Sequence, residues 1–112
     1  MDERERILLE NFKEYYSLGF EAFVKEKYNS ATTLFFKAIA VLCDLFILRK
    51  EGFIPSSHSN RFRILEEKYP ELYKIIDRDF PFYQDSYTQK MDKESAELLK
   101  EDAERIKKIL GI

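Results

Sequence analysis

The chain has 112 residues, which is enough for one domain with a single hydrophobic core and too few for two. Apolar residues make up 45% of the sequence and charged residues 36%, with three Gly and three Pro, a composition that excludes a disordered chain. The net charge is −2 with both signs interleaved, so no segment has the basic surplus that favours non-specific phosphate binding. We therefore expect one helical domain over residues 1–112.

Residues 2–27 predict a long amphipathic first helix. Its inward positions recur at steps of three and four residues: Leu8, Phe12, Tyr15, Gly19 and Phe23. A glycine in a helix interior costs about 1 kcal/mol relative to alanine. We expect a close approach of the next helix to compensate for Gly19.

Residues 28–52 predict the central helix. Asn29 and Ser30 are N-cap candidates, and the glycine at the end of the segment is a C-cap candidate. Apolar residues surround nearly the whole circumference of the middle part, where Lys37 and Asp44 are the only charges. Such a helix is expected to pack against neighbours on several sides.

The same segment is long enough to cross a membrane, but its two charges would lie in the hydrocarbon, so we expect no membrane partner. Cys43 is the only cysteine and is expected to be a small core residue. The charged residues 1–6 do not have the pattern of a signal peptide. These features favour a cytoplasmic location. Glu and Lys are abundant relative to Gln and Asn, as is typical of thermophile proteins.

The next part of the chain predicts two shorter helices. Pro55 and several serines mark a loop over residues 53–59, and one of these serines is expected to cap a helix over residues 61–68. Pro70 suits the first turn of a fourth helix. Pro81 predicts a kink or a restart, because proline removes a helical hydrogen bond.

Asp92 is expected to cap a last helix. One face of this helix is apolar, with Leu99, Ala103, Ile106 and Leu110. The other face offers the pairs Glu101 with Arg105 and Glu104 with Lys108 at i,i+4 spacing. No alternating strand pattern is present, so we predict an all-α fold, an up-and-down bundle of four to five helices.

Few residues are suited to catalysis. His58 is the only histidine, the glycines form no phosphate-binding loop, and no Glu-x-x-His motif is present. We expect neither a metal nor a cofactor. Because His58 lies beside serines at a boundary between loop and helix, we assign it a capping or surface role.

Tyr83 and Tyr87 are the aromatic residues that core packing explains least. They are four residues apart and share one side of a helix if the helix persists that far. In one interpretation the rings pack and the hydroxyls reach water; in the other they line a polar pocket in the bundle or at a dimer interface. The second interpretation predicts a ligand or RNA cleft formed by Arg78, Tyr83, Gln84, Asp85, Tyr87 and Lys90.

Three stretches of this sequence resemble the HEPN superfamily, small helical bundles named for higher eukaryote and prokaryote nucleotide-binding domains. The first is residues 27–38, KYNSATTLFFKA, at the entry into the central helix. The second is Ser57, His58 and Ser59, which open the next helix. The third is residues 83–87, YQDSY, followed by an acidic final helix rich in Ala and Leu.

The resemblance implies a homodimer. Many family members are ribonucleases, often toxins paired with a small nucleotidyltransferase antitoxin. Their catalytic signature is an arginine followed, after four to six residues, by a histidine on a late helix. Here Gln84 resembles the arginine position, Lys90 lies six positions on, and no arginine precedes His58 at that spacing. The position thus lacks an imidazole, which is the usual group for general acid-base catalysis near neutral pH, and we therefore favour a non-catalytic protein.

Three functions stay open from the sequence. The favoured one is a HEPN-like binding dimer that binds a nucleotide or RNA, or pairs with a nucleotidyltransferase in a toxin-antitoxin system. The second is a HEPN ribonuclease with an altered site around Asp85 and Tyr87, with Lys90 or Arg78 as the phosphate contact. The third is an oligomerising scaffold without a ligand.

Overall fold

The computed structural model describes residues 2–112, which form five helices joined by short connections. The helices are α1 Glu3–Val24, α2 Tyr28–Glu51, α3 His58–Lys68, α4 Pro70–Asp85 and α5 Lys93–Leu110. The described residues contain no strand, and the molecule measures 38 × 26 × 22 Å. The predicted all-α helical bundle is confirmed.

Helix α2 lies at the centre of the bundle. It packs against α1, α4 and α5, while α3 packs against α4. More than half of the residues of α2 are buried. Because the helix is enclosed in this way, the two charged side chains in its middle part, Lys37 and Asp44, must reach the surface or find a partner inside the protein.

Helix α2 is also the one helix in the described part of the chain that is long and apolar enough to cross a membrane. Most of its apolar segment is buried inside the bundle, as in the core helix of a globular protein. Cys43, in the same helix, is fully buried, as expected. Burial raises the pKa of its thiol to about 12, so the sulfur is an inert part of the core.

Gly19 permits the close approach of α1 and α2 that the sequence predicts. A Cβ atom at this position would lie 2.9 Å from two ring atoms of Phe35. Phe35 is fully buried in α2 and has little room to move. A side chain at position 19 would therefore force the two longest helices apart, and their close packing offsets the low helix propensity of glycine.

Most helix ends carry the residues predicted for them. The side chains of Ser57 and Asp92 accept backbone hydrogen bonds at the starts of α3 and α5. Gly52 ends α2 in a left-handed conformation with φ of 87°. Pro70 occupies the first turn of α4, where its missing N–H leaves no hydrogen bond unmade.

The predicted cap of α2 is wrong. The helix starts at Tyr28, so that Asn29 and Ser30 lie inside its first turn. The N-cap position is Lys27, which makes no side-chain hydrogen bond. The polar side chain of Asn29 is therefore available for a different contact, described below.

Pro81 lies inside α4, which runs without a break from Pro70 to Asp85. Of the two alternatives predicted for this proline, the restart does not occur. Asp77, whose carbonyl loses a helical partner to the proline, is exposed. Water can replace the missing donor at that position, which lowers the cost of a proline in the helix.

The charged side chains of α5 pair differently from the prediction. Glu104 lies 3.0 Å from Lys100 and accepts a hydrogen bond from the Tyr16 hydroxyl of α1. Arg105 lies 3.8 Å from the carboxylate of Asp102. The contacts to α1 and to a buried acid thus replace the two surface pairs expected from spacing alone.

Candidate binding surface

Asn29 connects the start of α2 to the loop between α4 and α5. Its Nδ2 donates to the backbone carbonyls of Ser86 and Gln89, at 2.9 and 2.6 Å. Its Oδ1 accepts a hydrogen bond from the backbone N–H of Met91, at 3.0 Å. The side chain therefore holds a loop that lies 57 to 62 residues further along the chain.

A second set of polar contacts joins α2 to the end of α4. Thr33 Oγ1 donates to the carbonyl of Asn29 at 3.0 Å and lies 2.8 Å from Ser86 Oγ. Ser86 is buried, and its Oγ donates to the carbonyl of Tyr83 at 2.6 Å. Because Ser86 lies between Tyr83 and Tyr87 in sequence, these contacts fix both tyrosines relative to α2.

Tyr83 and Tyr87 form a hydrogen-bonded pair, in agreement with their spacing. Their hydroxyl oxygens are 2.8 Å apart, and their rings meet at 77° with centroids 5.4 Å apart. The hydrogen bond to Tyr87, together with burial, raises the pKa of Tyr83 to about 12. Tyr87 is 67% exposed, so one ring of the pair remains open to solvent.

Tyr83 lies on an aromatic cluster formed by α2, α3 and α4. Its ring stacks on Phe36 with a centroid distance of 4.7 Å, and lies 6.1 Å from Phe80 and 6.2 Å from His58. The ammonium group of Lys37 lies 5.8 Å from the centre of the Tyr83 ring, within the range of a cation-π contact. We name this region the Tyr83 surface, formed by Lys37, His58, Phe80, Tyr83 and Tyr87.

A buried ion pair contacts this surface through His58. Arg61 donates from Nε and Nη2 to the two carboxylate oxygens of Asp44, at 2.7 and 2.9 Å, and both residues are buried. This bidentate arrangement is the strong form of an arginine-carboxylate contact. The remaining terminal nitrogen, Nη1, lies 2.6 Å from Nδ1 of His58. The ion pair thus joins α2 to α3 and orients an imidazole at the surface.

The surroundings of His58 lower its pKa below the ordinary value of 6.5. Partial burial is the largest cause. The positive charges of Arg61 and Lys37 act in the same direction, and the carboxylate of Asp44 acts against them. The imidazole is therefore neutral near pH 7.

The remaining residues of the predicted cleft have other surroundings. Gln84 is exposed and Asp85 is half-buried at the end of α4. Lys90 is exposed and lines an open depression of about 440 Å³ together with Lys27 and other residues at the start of α2. The structure thus brings Tyr83 and Tyr87 into contact, whereas Lys90 has different neighbours. The binding of a ligand by any of these residues stays a prediction.

Arg78, the last residue of that cleft, contacts two buried acids. Its Nε donates to Asp79 at 3.3 Å, and its Nη2 donates to Asp102 of α5. Both carboxylates are fully buried, and one oxygen of each has no hydrogen-bond partner among the described residues. Burial, together with the neighbouring carboxylate of Asp102, raises the pKa of Asp79 to about 8. The two acids therefore hold a proton between them near pH 7.

Neither of these buried charge clusters was predicted from the sequence. The sequence nevertheless contains an indication of each cluster. For the first, Asp44 is an acid in the middle of a helix that is apolar on all sides. Asp79 and Asp102 continue the i,i+3 and i,i+4 spacing of apolar residues in α4 and α5. A charged residue at a core-facing position predicts a buried partner, although not which one.

Comparison with protein-family models, with curated proteins and with solved structures finds no match to this chain. Within residues 2–112, no group of three or more His, Cys, Asp or Glu side chains could hold a metal ion. The molecule is thus defined by its five-helix fold and by an aromatic surface with one neutral imidazole and one ammonium group. Its function is inferred from these features.

Proposed function

We propose that this protein is a non-catalytic, HEPN-like binding protein that acts as a homodimer and binds a nucleotide or RNA on the Tyr83 surface. The observation that carries the proposal is the exposed ring of Tyr87, held against Tyr83 beside the ammonium group of Lys37. The all-α bundle is the architecture that the resemblance to the family implies.

Exposed aromatic rings beside a cation suit a base attached to a phosphate. A base stacked on an aromatic side chain contributes about 1–3 kcal/mol, largely without regard to sequence. Tyr83 is already stacked on Phe36, so the platform is formed before a ligand arrives and little ordering is required on binding. Lys37 is half-buried and belongs to none of the ion pairs among the described residues, so its ammonium group is available for a phosphate oxygen.

His58 and Asp44 are not suited to act as a general base for RNA cleavage. The carboxylate of Asp44 is buried and bound to Arg61, and the guanidinium also contacts Nδ1 of His58. The outer nitrogen of a neutral imidazole with this contact carries the proton and cannot accept another. These contacts make His58 and Asp44 unsuited to that role, so a ribonuclease with an altered site would depend on Asp85 and Tyr87 at the end of α4.

Replacement of the open ring tests the proposal. Tyr87→Ala is expected to weaken binding of adenosine 5′-monophosphate and of a short single-stranded RNA about tenfold, since one stacking contact is lost. Calorimetric titration measures both affinities. The matched control is Phe20→Ala in α1, which removes a 45% exposed ring with a lysine ammonium 5.8 Å away, and should leave binding unchanged.

Several results would contradict this function. Equal losses in the Tyr87 and Phe20 variants, or no measurable binding by the wild-type chain, would remove the Tyr83 surface as the site. Cleavage of RNA by the wild-type chain, absent from an Asp85→Ala, Tyr87→Phe double variant, would establish the altered ribonuclease instead. A stable dimer that binds no nucleotide would leave the scaffold function.

The homodimer and the nucleotidyltransferase partner are proposals drawn from the resemblance to the family. Light scattering of the purified chain tests the first, and a mass of one chain at all concentrations would contradict it. Affinity purification followed by mass spectrometry tests the second. The expected result is a nucleotidyltransferase recovered in fixed proportion to this chain.

A further inference from the structure

We propose that His58 is a hydrogen-bond donor of the Tyr83 surface, which presents its Nε2–H to an acceptor atom of a bound nucleotide. Asp44 and Arg61 are the positioning residues that keep the imidazole in this form. The part of the inference that concerns the ligand rests on the proposed function. The part that concerns the imidazole rests on the geometry of residues in α2 and α3 alone.

The hydrogen-bond chain determines where the ring proton lies. A guanidinium group has five N–H donors and no acceptor, so the contact of 2.6 Å requires a lone pair on Nδ1 of His58. The single proton of the neutral ring must then lie on Nε2. Arg61 cannot turn away easily, because its other two donating nitrogens are bound to Asp44 inside the protein. The tautomer is thus set by a buried group.

The groups around the imidazole of His58 disfavour the binding of a second proton. It would have to be placed on Nδ1, against the guanidinium of Arg61, and the ammonium of Lys37 adds repulsion. Asp44 is the nearby acid, and its charge is balanced by Arg61. The groups of α4 that face the ring are Phe80 and Tyr83, with centroids 5.7 and 6.2 Å away, and neither adds a charge near pH 7 because the pKa of Tyr83 is raised. The contact at Nδ1 therefore favours the neutral ring that donates from Nε2.

The cost of the buried ion pair points to a role beyond stability. Two charges removed from water are often no more stable than apolar residues of the same volume. Arg61 and Asp44 are only 9% and 7% exposed. Nη1 of Arg61 nevertheless contacts the exposed imidazole of His58 and not another group of the core. An ion pair used to orient a surface donor explains this arrangement.

The ligand that fits this donor is planar, negatively charged and has an acceptor at its edge. Tyr87 supplies a ring face, Lys37 supplies the positive charge, and Nε2–H supplies an uncharged donor. A metal ion at Nε2 does not fit, because that nitrogen would need to be free of its proton and Nδ1 would then carry it towards Arg61.

Nuclear magnetic resonance of the imidazole nitrogens tests the geometry, and the single histidine of the chain makes the assignment unambiguous. The expected result for the free protein is the Nε2–H tautomer with a pKa below 6.5. In the double variant Asp44→Leu, Arg61→Met, which replaces the ion pair by apolar side chains, the tautomers should mix and the pKa should move towards its ordinary value. Arg63→Met, an exposed arginine of the same helix, should change neither.

Titration with adenosine 5′-monophosphate tests the donor. His58→Ala is expected to weaken binding about fivefold, as for one lost hydrogen bond, whereas His58→Gln should retain most of the affinity because its amide N–H can replace Nε2–H. An Nδ1–H tautomer in the free protein, or equal losses in both variants, would overturn this inference even if Tyr87→Ala confirms the site. No binding by the wild-type chain would overturn the proposed function and the donor role, while the tautomer would still report on the geometry.

Discussion

Asn29 is a single residue whose side chain positions a surface far from it in sequence. At the start of a helix it has the character of an N-cap, but all three of its hydrogen bonds go to the backbone of the loop between α4 and α5. Tyr87 lies in that loop, directly after Ser86, the residue to which Asn29 binds. The position of the open tyrosine therefore depends on an amide group on another helix.

Asn29→Ala is expected to lower the free energy of unfolding by about 2 kcal/mol, since three hydrogen bonds to backbone groups are lost and water replaces them only in part. Urea denaturation followed by circular dichroism measures the change. Asn11→Ala, at an exposed position of α1, is the control and should differ little from wild type. A loss of the same size in both variants would show that the loop is held by other contacts.

At the scale of the helices, close packing occurs by two different means. Gly19 lets α1 approach Phe35 of α2 by having no side chain. Between α4 and α5 the contact is instead made by two acids, Asp79 and Asp102, under the half-exposed side chain of Arg78. The apolar contact is independent of pH, whereas the acidic one depends on the proton that the two carboxylates share.

Asp79→Asn is expected to reduce the dependence of stability on pH. The folded chain keeps the Asp79 proton up to about pH 8, whereas the ordinary pKa is 3.8. Between these values the folded state binds more protons than the unfolded state, so the free energy of unfolding falls as the pH rises, by at most about 1.4 kcal/mol per pH unit. Asparagine keeps a donor and has no proton to lose.

The measurement is urea denaturation at pH 5 and pH 8. The gain in stability of the Asp79 variant over wild type should be clearly larger at pH 8 than at pH 5. Asp77→Asn, the same substitution at an exposed position of the same helix, is the control. If both variants show the pH dependence of wild type, Asp79 is ionised in the folded protein at neutral pH.

At the scale of the molecule, the net charge of −2 does not favour attraction of nucleic acid from a distance. Binding on the Tyr83 surface would then depend on contacts made within the site. Lys37 is the ammonium group next to the tyrosine rings. We therefore expect any dependence of affinity on salt to arise from a small number of phosphate contacts.

Lys37→Met is expected to reduce the slope of log affinity against log salt for single-stranded RNA by about 0.7, the value for one phosphate contact. The methionine keeps most of the apolar stem, so packing against Tyr83 is largely retained. Lys13→Met, at an exposed position of α1, should leave the slope unchanged. An unchanged slope in the Lys37 variant would place the phosphate elsewhere.

The amino-acid pattern by itself determined the class of fold and many of its boundaries. Helical periodicity and composition predicted an all-α bundle around the central helix. Pro70, Asp92 and Gly52 are found at the helix ends as predicted, and one of the loop serines caps α3, which begins at His58 and not at residue 61. These features depend on interactions within a few residues, such as a cap that binds the next turn. Local chemistry is sufficient to predict them.

Only the tertiary structure decided which polar side chains meet. Asp44 and Arg61 are 17 residues apart, and Asn29 binds a backbone group 62 residues away. No local pattern specifies such partners, since a polar residue on a helix has several directions available until the helices pack. For the same reason the sequence predicted that Tyr83 and Tyr87, which are four residues apart, lie on one side of a helix. It did not predict the ion pair that orients His58 beside them.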